Sequence, residues 1–183
     1  MMSAKKNVFS NPIIKDVIEI IEDTKDRLVF KTYLQPFGGQ NTMHYHSKLT
    51  ETFKIIEGEL VVFLNNKKII LKQGDCAIIK PFDVHQFINA SNKKVIFKVE
   101  IHPAKQIKQG LQIIYGLANN GKTFKSGLPK NIFYTAISLN MMDAFVPTAP
   151  LCIQKAGITF LATLGKCLGL EKKLLNTFSN FSD

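Results

Sequence analysis

The chain has 183 residues, of which 45% are hydrophobic, with 14 Phe and no Trp. This length suits one domain of ordinary size with an appendage, and the hydrophobic fraction excludes a disordered chain. The net charge of +10 raises the question of nucleic-acid binding, yet Arg27 is the single arginine and no dense basic block is interleaved with aromatic residues. We therefore expect scattered, solvated lysines and no nucleic-acid partner.

The cysteine pattern indicates a reducing compartment. Cys76, Cys152 and Cys167 lie far apart and form neither a disulfide framework nor a paired zinc motif. We expect a cytoplasmic protein in which they are small apolar side chains, with Cys76 as a buried structural thiol. The first fifteen residues have no apolar run typical of a signal peptide, and the apolar run at 156–165 is too short to span a membrane.

The residues before Pro103 have the pattern of β-strands. Short runs rich in Val, Ile, Phe and Thr alternate with turn residues such as Gly, Asn and Asp. The predicted strands are 17–22, 28–35, 51–56, 60–64, 67–71, 76–79, 85–89 and 94–101. Many short strands without a long helix between them predict an antiparallel sandwich or barrel.

After Pro103 the pattern becomes helical. The predicted helices are 104–117, 131–145 and a third that runs from Pro150 toward Leu168, with Gly169 as its C-cap. We therefore divide the chain into a β-barrel domain, residues 1–103, and an extension, residues 104–183, of two or three α-helices. Apolar residues occupy more than one face of the third helix, which favours burial on the barrel or at a dimer interface over contact with a membrane.

Four side chains of the strand-rich half are candidate metal ligands. His44 and His46 are two residues apart and project from the same face of a strand, while Glu51 and His85 each begin a later predicted strand. Three imidazoles and one carboxylate suit a first-row divalent metal with open positions for water or substrate. Without a metal, a buried Glu would carry a large desolvation cost. The fourth histidine, His102, is expected at the surface.

The spacing of these residues resembles the two sequence motifs of the cupin superfamily. The first motif has a glycine, a His-x-His pair, a glutamate and a second glycine, and it is similar to Gly38, His44, His46, Glu51 and Gly58. The second motif is similar to Gly74, His85 and Asn89. This chain departs from the second motif at Lys80-Pro81-Phe82-Asp83, where the proline is displaced and the turn glycine is missing. The geometry of that turn therefore does not follow from the resemblance.

The resemblance covers roughly residues 28–101 and implies a small antiparallel jelly-roll barrel that holds a metal on His44, His46, Glu51 and His85. Iron, manganese, nickel, zinc and copper all remain open. Because cupins include dioxygenases, decarboxylases and sugar isomerases or epimerases, a small organic ligand is expected at the open metal positions, with oxygenase, isomerase or decarboxylase chemistry. A non-catalytic module that binds or senses a small molecule is the alternative.

The family resemblance also implies a homodimer, since cupins commonly dimerise. A membrane-peripheral protein that uses its C-terminal helix is an alternative that the pattern favours less.

Aromatic residues near the candidate ligands have two interpretations. Phe53, Phe63 and Phe87 are candidates for an apolar substrate pocket around the metal. Filling the interior of a small barrel is the other role open to them. Tyr45, between the two histidines, is expected to point away from them and to serve in packing or at the surface.

Overall fold

The computed structural model describes residues 7–179, so the first six residues of the amino-terminal segment and the last four of the predicted extension lie outside it. The strands are β1 Val8–Asn11, β2 Asp16–Asp23, β3 Leu28–Leu34, β4 Tyr45–His46, β5 Thr50–Glu57, β6 Glu59–Leu64, β7 Lys67–Lys72, β8 Cys76–Ile79, β9 His85–Ile88, β10 Val95–His102 and β11 Ala144–Phe145. The helices are α1 Ile107–Asn119, α2 Ile132–Met142, α3 Leu151–Cys167 and α4 Leu170–Phe178.

Two antiparallel sheets enclose one apolar core. The larger has the strand order β1-β2-β3-β10-β5-β8, the smaller has the order β7-β6-β9, and β4 pairs with β11. The alternation of apolar residues places every second side chain inside: in β10, Val95, Phe97, Val99 and Ile101 are buried. They share a core with Leu60 and Val62 of the smaller sheet. The predicted mainly-β antiparallel barrel followed by helices is confirmed.

The turn at residues 80–83, where the chain departs from the family motif, contains a residue with a left-handed backbone conformation. Phe82 has a φ of 71°, and its backbone N–H donates to the carbonyl of His46 at 2.7 Å. Asp83 accepts from the N–H of Lys80 at 2.8 Å and so closes the turn. A side chain therefore occupies a conformation that glycine adopts more easily.

The extension has four described helices, so the prediction of two or three was wrong. The predicted helix 131–145 ends at Met142, because Asp143 takes a left-handed conformation with φ 49° and the chain then enters β11, which pairs with β4. Gly169 ends the third helix as expected, but helical structure resumes at once as α4.

The helices differ in how they meet the barrel. α1 contributes Ile107 and Tyr115 to the barrel core, whereas Ile113 and Leu117 join a second apolar cluster with Ile137 of α2 and Leu174 of α4. α3 packs on α2 and α4, and only Ala162 and Gly165 of α3 are buried. The stripe of large apolar side chains on α3 faces outward from its own chain, so the predicted burial at a dimer interface stays a prediction.

The three cysteines lie on the surface of the described structure. Cys76 is exposed, because Ala77 and Ile79 are the residues of β8 that face inward; the prediction of a buried thiol was wrong. Cys152 and Cys167 are exposed as well.

No single described helix is long and apolar enough to cross a membrane; α3 and α4 reach the required length and composition only together, with a bend of 81° between them.

Candidate metal centre and cavity

Backbone pairing brings the two histidine motifs together. The N–H of His44 donates to the carbonyl of His85 at 3.0 Å, and the N–H of His85 donates to the carbonyl of His44 at 2.8 Å. The two rings lie 4.3 Å apart between centroids, and the ring of His46 is 5.1 Å from that of His44 and 5.5 Å from that of His85. The three histidines therefore form one cluster, as the family resemblance implied.

The ligand-type nitrogens of the three rings all lie within 4.8 Å of one another. Glu51 reaches the same cluster from the start of β5. Its Oε2 is 3.0 Å from His85 Nε2, and its Oε1 is 3.7 Å from His46 Nε2. All four predicted metal ligands are thus neighbours.

Hydrogen bonds on the far side of two rings set which nitrogen faces the cluster. His46 Nδ1 donates to the carbonyls of Met142 and Asp143 at 3.1 and 3.2 Å, and His85 Nδ1 donates to the carbonyl of Asp83 at 3.0 Å. This assignment leaves Nε2 of His46 free to act as a ligand. Nε2 of His85 donates to Glu51 Oε2 at 3.0 Å and would release that proton on binding a metal. His46 Nε2 is buried and has no hydrogen-bond partner among the described residues, which fits a metal ion at this point.

The electrostatics of the cluster keep the carboxylate ionised. Burial by itself would raise the pKa of Glu51, but the charge of His46 and the hydrogen bond from His85 outweigh it and lower the pKa to about 2. Burial, together with the neighbouring charges of His85 and His46, lowers the pKa of His44 to about 3. A carboxylate and a neutral imidazole are the forms that bind a metal cation.

A cavity of about 310 Å³ begins at the cluster, with His44, His46 and Glu51 in its wall. Most of the wall is apolar and comes from both the barrel and the extension. Phe53 and Phe87 line the cavity, as predicted. Phe63 is not among the lining residues, because the inward positions of β6 are those of Leu60 and Val62. A smaller hollow of about 100 Å³ has none of the predicted ligands in its wall.

Residues 31–102 match the family model described as a cupin domain. They are a cupin domain.

Three known proteins show how far the likeness to this cupin chain extends. An uncharacterized protein of Aquifex aeolicus (strain VF5) is 28% identical in an alignment 104 residues long, which covers 50% of this chain and 86% of that protein. An RmlC-like cupin from Shewanella frigidimarina NCIMB 400 has a TM-score of 0.50 and 14% identity over 58% of this chain and 92% of its own. A sugar phosphate isomerase from a cupin superfamily, from Silicibacter pomeroyi DSS-3, has a TM-score of 0.47 and 23% identity over 49% of this chain and 61% of its own. The Shewanella likeness shows the fold alone.

The extension positions one of the candidate ligands of the cupin barrel. The carbonyls that hold His46 belong to the end of α2, and the carboxylate of Asp143 accepts hydrogen bonds from the backbone N–H of Ser47 at 2.7 Å and from its hydroxyl at 2.9 Å. Sequence reasoning missed Asp143. Because Asp143 lies 96 residues from Ser47 in the chain, no local pattern could have indicated the pairing.

The remaining residues of the sequence prediction lie where they were expected. The ring of Tyr45 packs between Phe82 and Phe145 at centroid distances of 6.3 and 5.7 Å, so its role is packing. His102 is exposed, and its Nδ1 donates to the carbonyl of Asp26 at 2.7 Å.

Proposed function

We propose that this cupin binds one divalent transition metal ion through His44, His46, Glu51 and His85, and a small organic ligand in the adjoining cavity. The observation that carries the proposal is the buried Nε2 of His46, which faces the cluster without a hydrogen-bond partner among the described residues. A metal ion would satisfy this nitrogen and the negative charge of Glu51 together.

The protein residues would have separate tasks around such a metal. The ion would supply a Lewis-acid or redox centre. His44, His46 and Glu51 lie in the cavity wall, so a ligand oxygen can approach the cluster from the cavity side. The apolar wall, with Phe53 and Phe87, would exclude water and select a ligand with an apolar body. Oxygenase, isomerase or decarboxylase chemistry would be open to such a site.

A second function, binding or sensing of a small molecule without chemistry, is supported by the same wall. Acid–base catalysis requires titratable groups at the reacting atoms, and most of the wall surface is apolar. If a ligand that binds in a metal-dependent way is converted to a product, the protein is an enzyme. If the ligand is released unchanged, the protein is a binding module.

The metal site is tested by elemental analysis and by titration of the purified protein with Mn²⁺, Fe²⁺, Ni²⁺, Cu²⁺ and Zn²⁺. We expect one ion per chain, and we expect His44→Ala and Glu51→Ala to weaken binding by at least about 100-fold, since each removes a direct ligand. Circular dichroism should show that both variants keep the barrel.

His102→Ala is the matched control, because it removes the one histidine that lies at the surface away from the cluster. It should bind the metal as the unmodified protein does. The proposal fails if no ion binds, or if His102→Ala loses as much affinity as His44→Ala.

A further inference from the structure

The cavity has a second polar feature at its β1–β2 side. Asn11 and Asp16 are cross-strand partners in β1 and β2. Both line the cavity, and their side chains are only 1% and 4% exposed. Buried polar side chains in an otherwise apolar wall require hydrogen-bond partners, because desolvation is costly without them.

Each of these two side chains has one polar atom satisfied and one without a partner. Asn11 Oδ1 accepts from the backbone N–H groups of Ile13 and Ile14 at 2.9 and 3.3 Å, and Asp16 Oδ2 accepts from the Tyr115 hydroxyl at 2.6 Å. Asn11 Nδ2 and Asp16 Oδ1 are buried and have no partner among the described residues. These two paired residues of the wall therefore have one free donor and one free acceptor.

The pair lies well apart from the metal cluster. In the larger sheet, β3 and β10 separate β2 from β5, the strand of Glu51, which corresponds to roughly 14 Å across the strands. The pairing through β3 and β10 also places Asp16 and Glu51 six residues out of register, roughly 20 Å along the strands. The intervening strands line the cavity with Phe30, Thr32 and Val99, so this part of the wall is mostly apolar. A ligand that reaches both ends must have an apolar middle.

We propose that Asn11 and Asp16 form a second polar subsite that receives a hydroxyl group of the ligand. The ligand class is then an organic molecule with a metal-binding oxygen at one end, an apolar body and a hydroxyl at the other end. This inference rests on the proposed function only for the end of the ligand that binds the metal.

A hydroxyl matches the pair because it donates one hydrogen bond and accepts another. An ammonium group could donate to Asp16 but could not accept from Asn11. A carboxylate would be repelled by the negative charge of Asp16. Burial raises the pKa of Asp16 to about 7, against the opposing effect of its hydrogen bond to Tyr115, so the acceptor is ionised in mildly alkaline solution. A water molecule offers the same two hydrogen bonds and is the competing occupant.

The test compares straight-chain fatty acids with their ω-hydroxy counterparts, using chains of about ten to twenty carbons, because the two ends are roughly 14 Å apart across the strands and roughly 20 Å apart along them. Calorimetry of the metal-loaded protein at about pH 8.5 keeps Asp16 ionised. For the best-fitting length, we expect the hydroxy acid to bind about tenfold more tightly than the parent acid, the effect of one to two net hydrogen bonds.

Two substitutions remove one half of the subsite each. Asn11→Asp keeps the oxygen that caps Ile13 and Ile14 but replaces the free donor with an acceptor. Asp16→Asn keeps an oxygen for Tyr115 but replaces the free acceptor with a donor. Each should reduce the tenfold preference to less than about threefold. The double variant Asn11→Asp/Asp16→Asn exchanges the two groups and should restore it, which a merely structural role does not predict.

The outcomes separate this inference from the metal proposal. If the parent acids bind in a manner that depends on His44 and the hydroxyl adds nothing, a water occupies the pair and the subsite is refuted while the metal site stands. If the hydroxyl preference is present but independent of His44, the subsite stands and the metal end fails. Failure of every hydroxy acid to bind also refutes the subsite.

Discussion

Asp143 lies outside the candidate ligand set, yet its carboxylate fixes the residue that follows His46. It holds Ser47 by two hydrogen bonds, while the carbonyl of Asp143 itself accepts from the His46 ring. The orientation of a metal-binding imidazole depends on such partners. Asp143 is therefore a positioning residue for the metal centre.

Replacing Asp143 by glycine should weaken metal binding about tenfold without removing a ligand. Glycine tolerates the left-handed backbone at this position, so the substitution isolates the loss of the carboxylate. The measurement is competition with a chelating dye. Asp75→Gly is the control, because Asp75 also accepts a backbone N–H, that of Lys72, but in the turn between β7 and β8. Equal losses in both variants would show a general loss of stability instead.

Asp16 should make stability depend on pH in a direction opposite to that of most acids. Burial, the larger influence, raises its folded-state pKa from 3.8 to about 7 despite the hydrogen bond from Tyr115. The folded protein then holds the proton more tightly than the unfolded chain, so the stabilisation is complete below about pH 4 and is lost as the pH rises through about 7.

Asp16→Asn removes this proton equilibrium. Relative to the unmodified protein, the variant should therefore gain roughly 2 kcal/mol of unfolding free energy between about pH 5 and about pH 8. Urea unfolding at the two pH values measures the change, and the other titrating groups cancel in the comparison. Asp26→Asn, at an exposed position, should show no such gain. A pH-independent difference for Asp16→Asn is the contrary result.

At the scale of elements, two helical glycines have opposite surroundings. A Cβ on Gly116 of α1 would overlap Cδ1 of Phe178, so α4 packs directly over this position. A Cβ on Gly157 of α3 would meet nothing within 4 Å. The first glycine permits a close helix contact, whereas the second only adds flexibility to the unfolded chain.

Gly157→Ala should raise the unfolding free energy by about 1 kcal/mol through helix propensity alone. Gly116→Ala should show no gain, because the new methyl group displaces Phe178 and loosens α4. Urea denaturation compares the two variants, and limited proteolysis should release α4 faster from Gly116→Ala. A similar stabilisation in both would mean that α4 does not depend on this contact.

For the whole molecule, α3 presents the main apolar surface that residues 7–179 leave uncovered. Ile153, Phe160, Leu164 and Leu168 are 66%, 63%, 39% and 66% exposed, and their spacing places them on one side of the helix. Lys155 and Lys166 are the only charged residues of α3. This long, weakly charged stripe suits the same stripe on a second copy better than it suits anionic lipid.

We therefore expect a homodimer with a mass of twice 20.6 kDa in light scattering coupled to size exclusion. Phe160→Glu should give a monomer, because two buried carboxylates would face each other across the two-fold axis. Thr159→Glu, on α3 but outside the stripe, should leave the dimer intact. A monomer that binds anionic liposomes through Phe160 would contradict the dimer and favour the membrane alternative.

How much of this molecule could be predicted from its sequence depended on the distance between interacting residues. Strand alternation is a local feature, and it predicted the antiparallel barrel. The intervals within the two motifs, Gly38 to Gly58 and Gly74 to Asn89, are local as well, and the family resemblance that they carry implied all four candidate ligands. Periodicity also identified the helical character of the extension. These patterns record which side chains share a face, and a short segment is enough to show that.

Only the tertiary structure decided which of those faces are covered and what completes the site. The exposure of α3, the outward position of Phe63, the support of His46 by Asp143 and the unpaired polar atoms of Asn11 and Asp16 all depend on contacts between distant segments. A residue's own neighbours in sequence do not specify such contacts, because burial and hydrogen-bond satisfaction are properties of the packed chain.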